Sequence, residues 1–549
     1  MGIRVTSIWK IANAGSRPAP STHWEGSLIG KTVRTLLSEI PRRKVRTMRF
    51  NGANQSQSKK IQTYEGGDAY EKSPLEDWMN FLFSSYLENK FYESDDEQLE
   101  RFMDLTDTLC FSLGPDFLAK ASIYARRVLG MREAPMLVAA YLNKESFDYK
   151  RNYYRGLFHR PDDVAEVFAI LESYFNRKPS HALVRGAGDY LSGLSQFTLG
   201  KYKMKGRQYN IYDLVNLCHA HSEAICKLKN DTLIAPETWE NMISNAADDM
   251  DKAKRWIALV DNHRLGYLAL IRNLRNILWA ANLALPDSAA LNWLSLTLGP
   301  QITNETSVRQ SLVFPYQIYT AYKYVREMAP IVIRQALEAA FKISVENTPY
   351  LPGVTAVMLD ISGSMSATMS HRNVMTLKEV GACYAASLFI HNPSITFIKF
   401  GTYARQMEFF CFTEPFTLIE QMCAEDNLGC STQVDRAFAE LKEPVDRIFL
   451  ISDQQNMAPL SHTHWSWLYG CEPKKNIESY TEYCQKYGAA HLFSFDLANY
   501  KGQYENPHNS YIHLLTSLND SVQKFIPLME EGEADIKNEI ERYVDLKYL

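Results

Sequence analysis

Oxygen-bearing side chains alternate directly after a short apolar run in the sequence MLDISGSMS. Asp360, Ser362 and Ser364 follow residues 354–359, whose branched and almost nonpolar composition is typical of a buried strand in a parallel sheet. In an open α/β sheet the carboxyl ends of the strands form the crevice where ligands bind. One carboxylate and two hydroxyls at such an edge are the start of a binding site for a hard cation.

Two further oxygen ligands follow other predicted elements at the same edge of the sheet. Thr432 lies in a loop that opens a helix, and Asp453 ends the apolar run RIFLIS. Carboxylates and hydroxyls without imidazole or thiolate favour Mg²⁺, or another divalent cation such as Mn²⁺. Taken singly, each residue also has a local explanation, because Ser and Thr cap helices and Asp often ends strands. Together, in this order, they predict a metal site that leaves one position for a partner's carboxylate or phosphate.

An enzymatic role of Asp360 is the alternative to this metal site. Phosphatases of the haloacid dehalogenase type also place a nucleophilic Asp after their first strand, and they need a second Asp two positions later. That position is Ser362, so the general acid is missing. Because the sequence also lacks G-x-S-x-G, P-loop and H-E-x-x-H patterns, we expect no catalysis.

The elements that must hold these residues divide the chain into three parts. Residues 1–60 carry twelve Lys or Arg against two Glu, so we assign 1–62 to a basic N-terminal arm. Residues 63–350 are almost entirely helical in pattern and predict stacked helix pairs of the HEAT type. Residues 351–549 alternate strand-like and helical runs, which predicts a doubly wound parallel sheet, followed by an amphipathic C-terminal helix.

Length and composition exclude several classes of protein. The 549 residues are too many for one ordinary domain, and 46% hydrophobic with 22% charged residues is typical of a globular protein in water. A net charge of -4 gives no global sign of a nucleic-acid partner. Nine scattered cysteines and the lack of a long apolar run lead us to expect a cytoplasmic protein with reduced thiols and no membrane contact. We also expect a monomer.

A local basic stretch, KYKMKGR, stands out against this acidic background. Lys201, Lys203, Lys205 and Arg207 surround Tyr202, which combines phosphate-neutralising charge with a ring for base stacking. Arg185 and Arg155 lie on preceding predicted helices, so a stack of helix pairs could align them on the same surface. Basic residues also solvate helices without any ligand, and that alternative stays open here.

Several motifs in a fixed order resemble known families. The run D-I-S-G-S, Thr432 and Asp453 resemble the metal-ion-dependent adhesion site of von Willebrand factor A domains. Helical segments such as LAKASIYARRVLGMR, KYKMKGRQYNIYDLVNLCHA and LALIRNLRNI, followed by that domain, resemble the TROVE architecture of the Ro autoantigen family. The resemblance runs from about residue 64 to the last residue.

This resemblance implies a fold and a function. It implies a ring of HEAT-like helices closed by the A domain, and His219 matches the family's histidine after the basic loop. It also implies binding of small noncoding Y RNA and of single-stranded RNA ends in RNA quality control, with an exoribonuclease or another RNA-processing protein as a further partner. Gln433 and 454–455 replace acidic residues that are common in the family, so we expect weaker metal binding.

We therefore expect an RNA-binding scaffold that is not an enzyme. The alternative from another class is a protein-adhesion adaptor whose metal site binds an acidic side chain of a partner, with the helical part only as a frame. Binding of RNA that depends on the basic stretch favours the scaffold. Binding of a carboxylate-bearing partner that depends on Asp360 favours the adaptor.

Overall fold

The computed structural model describes most of the chain after residue 58. The described residues are 59–549 except for 65, 85–93, 205, 234–237, 349, 369–372, 393, 411, 457–478, 501, 505–508, 510, 516–525 and 531–535. The predicted basic arm therefore lies outside the described residues apart from its last four. Among the helices of these described ranges, none is both long and apolar enough to cross a lipid bilayer.

Nineteen α-helices follow one another between residues 74 and 345 of the described chain, as the sequence pattern predicts. The first ten are α1 Pro74–Ser84, α2 Asp95–Leu113, α3 Pro115–Arg127, α4 Glu133–Tyr141, α5 Lys150–Leu157, α6 Pro161–Ser173, α7 His181–Ser192, α8 Gln196–Lys201, α9 Ile211–Leu217 and α10 Glu223–Lys229. The other nine are α11 Trp239–Ser244, α12 Asp249–Asp261, α13 Tyr267–Arg272, α14 Leu274–Ala284, α15 Asp287–Trp293, α16 Gly299–Ile302, α17 Glu305–Ser311, α18 Pro315–Val325 and α19 Ile331–Val345.

Local sequence signals explain many of the helix boundaries. Ser94 and Glu97 form a reciprocal capping box at the start of α2. Gly114 then separates α2 from α3 with φ of +86°, a backbone conformation that favours glycine, and Pro115 occupies the first turn of α3, where no amide donor is needed. A Gly-Pro pair at this position ends one helix and starts the next, so the chain reverses direction and the two consecutive helices pack as a pair.

The sheet of the C-terminal part has six strands, mostly parallel. Its strands are β3 Thr355–Asp360, β4 Thr396–Phe400, β5 Ala404–Met407, β6 Arg447–Ser452, β7 His491–Asp496 and β9 Ile512–Leu515, in the order β5-β4-β3-β6-β7-β9. Only β5, at one edge, runs antiparallel to its neighbour. Neither β5 nor β9 was predicted, because their short sequences ARQM and IHLL lack the long apolar run of the central strands.

Helices cover both faces of this sheet, as expected for a doubly wound fold. They are α20 Leu377–His391, α21 Pro415–Cys423, α22 Val434–Glu440 and α23 Ser479–Tyr487. A Cβ atom on Gly381 of α20 would lie 2.5 Å from Leu359 Cδ1 and 2.8 Å from Ile451 Cγ2, so a glycine is needed for this close approach to the sheet. The covering helices leave the carboxyl ends of the central strands as the edge for ligands.

The helical part and the sheet share hydrophobic cores. Side chains of α12 to α19 pack in one cluster with α20, α21 and one face of the sheet, including Val357 and Phe449. Helices α1 to α10 form a second cluster, which Ile540 and Val544 join from the C-terminal end of the chain. The last two helices are α24 Ile526–Glu530 and α25 Ile536–Tyr543, and α25 packs against α3. The helical part thus contacts the C-terminal part at both of its ends.

A small second sheet, absent from our expectations, adds a further connection. Strands β1 Lys60–Gln62 and β2 Asp68–Glu71 form an antiparallel hairpin, and β2 also pairs with β8 Gly502–Gln503. Residues 60–62, assigned to the arm from their charge, are thus part of the folded protein. The pairing joins segments more than 400 residues apart, which local sequence patterns cannot predict.

Two histidines on neighbouring strands make stability depend on pH. His491 Nδ1 and His513 Nε2 are 3.1 Å apart, and burial together with His491 lowers the pKa of His513 from 6.5 to about 4. Between these values the unfolded chain binds more protons on this side chain, so stability falls as the pH falls from 6.5 to 4. We expect a loss of up to about 3 kcal/mol from this group. Urea unfolding of the parent and of His513→Phe at several pH values between 6.5 and 4 should show this loss. The free energy of unfolding of the variant should lack the pH dependence that His513 contributes. If the free energy of unfolding depends on pH equally in both proteins, the lowered pKa of His513 is refuted.

Candidate functional site

Asp360 lies at the centre of the predicted metal site. It is the last residue of β3 and is fully buried. Its Oδ1 accepts a hydrogen bond from the Ser362 amide at 2.8 Å, and its Oδ2 accepts from the hydroxyls of Ser452 at 2.6 Å and Thr432 at 3.4 Å. Residues from two loops and from the end of β6 therefore converge on one carboxylate, as the sheet topology leads one to expect.

The other predicted ligands lie beside it. Ser362 Oγ and Ser364 Oγ are 3.4 Å apart, and the Ser364 hydroxyl is close enough to Asp453 to lower the pKa of that carboxyl. All five predicted residues are at most 5% exposed. The structure thus brings Asp360, Ser362, Ser364, Thr432 and Asp453 together.

The chemistry of this group of residues fits a divalent cation. Asp453 Oδ2 is buried and has no hydrogen-bond partner within the described residues. Burial and the nearby Asp360 carboxylate raise the pKa of Asp453 well above its usual range. Two buried carboxylates among three hydroxyls form a hard oxygen donor set, which a Mg²⁺ ion would satisfy. Among the described residues, no group of three or more His, Cys, Asp or Glu could hold a metal by itself.

Ser452 is a member of this site that sequence reasoning missed. It is the last residue of β6, and besides its bond to Asp360 its hydroxyl lies 2.9 Å from the Tyr504 hydroxyl. The signal was present, because a serine ends the otherwise apolar run RIFLIS next to Asp453.

The two glutamines after Asp453 have structural roles. Gln454 is fully buried at φ +62°, where its amide donates to Ser494 Oγ at 2.8 Å and its carbonyl accepts from the Tyr504 amide at 3.1 Å. Gln455 Oε1 accepts from the Tyr64 amide at 3.0 Å. The loop after Asp453 is therefore held by neutral side chains, and the N-terminal hairpin lies against it.

The predicted nucleic-acid residues lie on neighbouring helices of the N-terminal part. Arg155 on α5, Arg185 on α7 and His219 after α9 are exposed. Helix α7 lies close to both neighbours, since a Cβ on Gly186 would meet the Arg151 carbonyl oxygen at 2.5 Å and a Cβ on Gly188 would meet that of Cys218 at 2.4 Å. The fold therefore brings the three helices together, as the prediction of an aligned surface requires.

Some of the predicted RNA-binding side chains already make contacts within the protein or are partly buried. The Arg155 guanidinium donates to the backbone oxygen of Leu549, with Nε at 2.6 Å. Lys203 and Arg207 are half-buried in the loop after α8, and Lys205 lies outside the described residues. Of the predicted arginines, Arg185 is exposed and has no ion pair within the described chain.

Lys201 and Tyr202 are more buried than the sequence-based prediction of an exposed basic loop requires. The Lys201 side chain is 8% exposed, its Nζ lies 3.9 Å from Glu240 Oε1, and burial lowers the pKa of its ammonium group. Tyr202 is half-buried, and burial raises the pKa of its hydroxyl. The charge of Lys201 is therefore partly balanced inside the protein, and Arg185 is the more accessible cation.

Comparison with known protein families finds a match within the helical part. Residues 221–332, which include α10 to α18, match the TROVE domain model. This segment of the helical part is therefore similar to the TROVE domain. Our suspicion from the motifs is confirmed in this respect.

The overall fold also agrees with a solved structure. The crystal structure of the Ro (RSR) protein of Deinococcus radiodurans superimposes with a TM-score of 0.57 at 14% identity, covering 84% of this chain and all of the bacterial one. The predicted combination of many helices with a mostly parallel sheet is therefore confirmed as a Ro-like fold.

Similar sequences occur in longer proteins. Telomerase protein component 1 of mouse is 24% identical and that of rat 23% identical, over 38% of this chain in both cases. The match spans only about 11% of the length of these two relatives. Their similarity thus concerns a part of each protein.

Proposed function

We propose that this protein is an RNA-binding scaffold. The observation that carries the proposal is the set of exposed basic side chains Arg155, Arg185 and His219, which lie on or beside adjacent helices just N-terminal to the residues that match the TROVE domain model. Such a surface attracts the phosphates of RNA without needing a basic protein overall. The Ro-like fold supports the same function.

The proposal extends to the kind of RNA and to the setting. Its ligands are a small noncoding, Y-like RNA and the single-stranded ends of structured or misfolded RNA, and its role is RNA quality control in the cytoplasm. An exoribonuclease or another RNA-processing protein would act on the bound RNA, because we assign no catalytic step to this chain. It functions in this proposal as a monomer without membrane contact.

A charge-reversal experiment tests RNA binding. Fluorescence anisotropy with a hairpin RNA that carries a single-stranded 3′ tail, over a salt series, compares the parent with the Arg185→Glu, Arg207→Glu double variant. We expect the variant to bind at least about tenfold more weakly, with a salt slope reduced by about one for each lost phosphate contact.

The control carries the same change in net charge elsewhere. Arg326→Glu with Lys442→Glu alters two side chains that are 50% and 70% exposed and remote from the basic surface in sequence. It should bind RNA as the parent does. Equal losses in both variants would show that only overall charge matters, and weak binding by the parent would refute the scaffold.

We also propose that Asp360, Ser362, Ser364, Thr432 and Asp453 hold Mg²⁺ or another divalent cation. A bound cation would neutralise the two carboxylates and offer a ligand position to a carboxylate or phosphate of a partner. The orphaned oxygen of Asp453 supports this site. It also favours the second candidate function, a protein-adhesion adaptor. In that case Asp360→Ala abolishes binding of a carboxylate-bearing partner and leaves RNA affinity unchanged.

A further inference from the structure

Two cavities lie beside the turn that joins α12 to α13. The first has a volume of about 320 Å³ and the second a volume of about 360 Å³. His263 and Leu265 line both cavities, so the two are adjacent halves of one groove. We call these two cavities together the α12–α13 groove. Sites for small molecules typically measure about 300–1,000 Å³, so each half suits one small ring system rather than a folded segment.

The first half of the groove has an aromatic wall. Trp239 of α11 lines it together with Met242 and Leu259. The centroid of the Trp239 ring lies 5.6 Å from that of Trp256, which is 1% exposed and belongs to the hydrophobic core. The core therefore holds the Trp239 ring in place, although Trp239 itself is only half-buried. A fixed and partly exposed indole is a surface on which any nucleobase can stack.

The second half of the groove is lined by neutral polar side chains. They are those of Thr297, Gln301, Asn304 and Ser307. Gln301 Nε2 donates to the Val260 carbonyl oxygen at 3.0 Å, which leaves Gln301 Oε1 as an acceptor. Hydroxyl and amide groups of this kind can pair with the edge of a base.

A π-helical turn forms one wall of the second half. Residues Leu294–Leu298 adopt this conformation between α15 and α16, and Leu296 and Thr297 of the turn line the cavity. Leu296 is 78% exposed, so the turn presents an apolar side chain to water at the edge of the groove. Single π-helical turns are rare and occur frequently at functional sites. The shape of this wall thus gives a second sign of a ligand site.

The charges of the groove favour a ligand with a negative group at its centre. His263 lines both halves, the adjacent Arg264 lines the first half, and both residues are exposed. Among the described residues, those that line the groove include no Asp or Glu. Asp261 lies outside the lining, and its Oδ1 accepts from the Trp293 indole at 2.7 Å. A phosphate between two bases has the matching distribution of charge.

The backbone at His263 is unusual for a histidine. Its φ is +52°, its amide donates to the Val260 carbonyl oxygen at 3.0 Å, and the Arg264 amide donates to that of Leu259 at 2.9 Å. These two bonds form the Schellman motif that ends many helices, and glycine is the commonest residue at the position that His263 occupies. A change of His263 to glycine therefore removes the imidazole and leaves the turn intact.

A direct contact connects the groove to the basic stretch. Glu240 follows Trp239 on α11, and its Oε1 lies 3.9 Å from Lys201 Nζ at the end of α8. Lys203 and Arg207 come directly after α8. An RNA strand on the basic stretch is therefore close to the aromatic half of the groove.

We propose that the α12–α13 groove binds two successive nucleotides of a single-stranded RNA segment. One base stacks on Trp239, the next base lies against the polar side chains of the second half, and the phosphate between them contacts His263 and Arg264. This inference rests on the proposed function and deepens it, because it gives the single-stranded end of the RNA its own site.

Two hairpin RNAs test the groove separately from the basic surface. One is blunt, and the other carries a 3′ tail of about eight uridines, a length within the site sizes of single-strand binders. Fluorescence anisotropy measures the affinity of the parent for each. We expect the tail to strengthen binding by about tenfold.

Two variants should lose most of the effect of the tail and keep the parent's affinity for the blunt hairpin. His263→Gly removes the imidazole at the centre of the groove, and its midpoint of urea unfolding should stay equal or rise because glycine suits the turn. Ser307→Phe fills the second half with a ring. It keeps the Ser307 backbone amide, which donates to Asn304 Oδ1 at 2.8 Å.

Asn176→Gly is the matched control for the change of backbone. Asn176 follows α6, has φ of +48°, is exposed and lines neither cavity. This variant should bind both RNAs as the parent does. The Arg185→Glu, Arg207→Glu double variant should bind both RNAs more weakly and keep the difference between them.

The outcomes separate the groove from the scaffold. Equal affinity of the parent for both RNAs would overturn the RNA groove, favour an apolar protein segment as its occupant and leave the scaffold standing. Binding of neither RNA would refute the scaffold itself. An effect of the tail that survives in both His263→Gly and Ser307→Phe would overturn the groove, and so would its loss in Asn176→Gly.

Discussion

Lys72→Met should lower the free energy of unfolding by about 3–5 kcal/mol, because it leaves a buried carboxylate without its cation. Lys72 and Asp496 are 1% and 0% exposed in their side chains, and Lys72 Nζ lies 2.6 Å from Asp496 Oδ2. The same ammonium group donates to the Tyr500 carbonyl oxygen and to Asn499 Oδ1. This ion pair connects the end of the N-terminal hairpin to the end of β7. Urea unfolding followed by tryptophan fluorescence measures the loss of stability in the variant.

Two further variants separate the buried charge from other effects of the substitution. Lys59→Met removes a lysine of the same hairpin whose side chain is 71% exposed and pairs with Glu71, so it should change stability by less than about 1 kcal/mol. Adding Asp496→Asn to Lys72→Met removes the stranded charge but keeps the oxygen that accepts the Ala498 and Asn499 amides. This double variant should be more stable than Lys72→Met alone. If it is not, the loss comes from packing rather than from charge.

The convergence of Asp360, Ser362, Ser364, Thr432 and Asp453 could be predicted because each part of this group has a local signature. A buried parallel strand is an apolar run, and Asp360 and Asp453 each come directly after one. The topology of a doubly wound sheet then places all such strand ends at one edge. Thr432 follows from the same rule applied to the loop before α22. No contact between distant residues had to be known.

Contacts between distant residues explain what could not be predicted. Lys72 and Asp496 are separated by 424 positions, and nothing near either one indicates the other. The sequence KYKMKGR likewise shows five polar or basic side chains but not which of them are buried. Lys201 is buried because Glu240 and Phe197, both outside that stretch, lie beside its ammonium group. Charge alone therefore identified the region and not the orientation of its side chains.

Metal binding should appear as stabilisation with a distinctive response to mutation. A cation that binds only the folded protein stabilises it by about 2.7 kcal/mol at a concentration one hundred times its dissociation constant. MgCl₂ or MnCl₂ should therefore raise the unfolding midpoint of the parent in urea. Thr432→Val should reduce this response, because it replaces a hydroxyl beside Asp360 by a methyl group of similar size.

Asp453→Asn gives the decisive result, because it should have opposite effects with and without metal. Burial and the neighbouring Asp360 raise the pKa of Asp453, so burying an acid here costs free energy on folding that Asn avoids, and Asp453→Asn should stabilise the metal-free protein by about 1–3 kcal/mol. The same change removes a ligand and should abolish the response to Mg²⁺. Asp249→Asn, at an exposed position of α12, should do neither. A structural carboxylate with no metal role would instead lose stability on substitution and leave the response unchanged. Gain of stability together with loss of the metal response is therefore the signature that only a cation site produces.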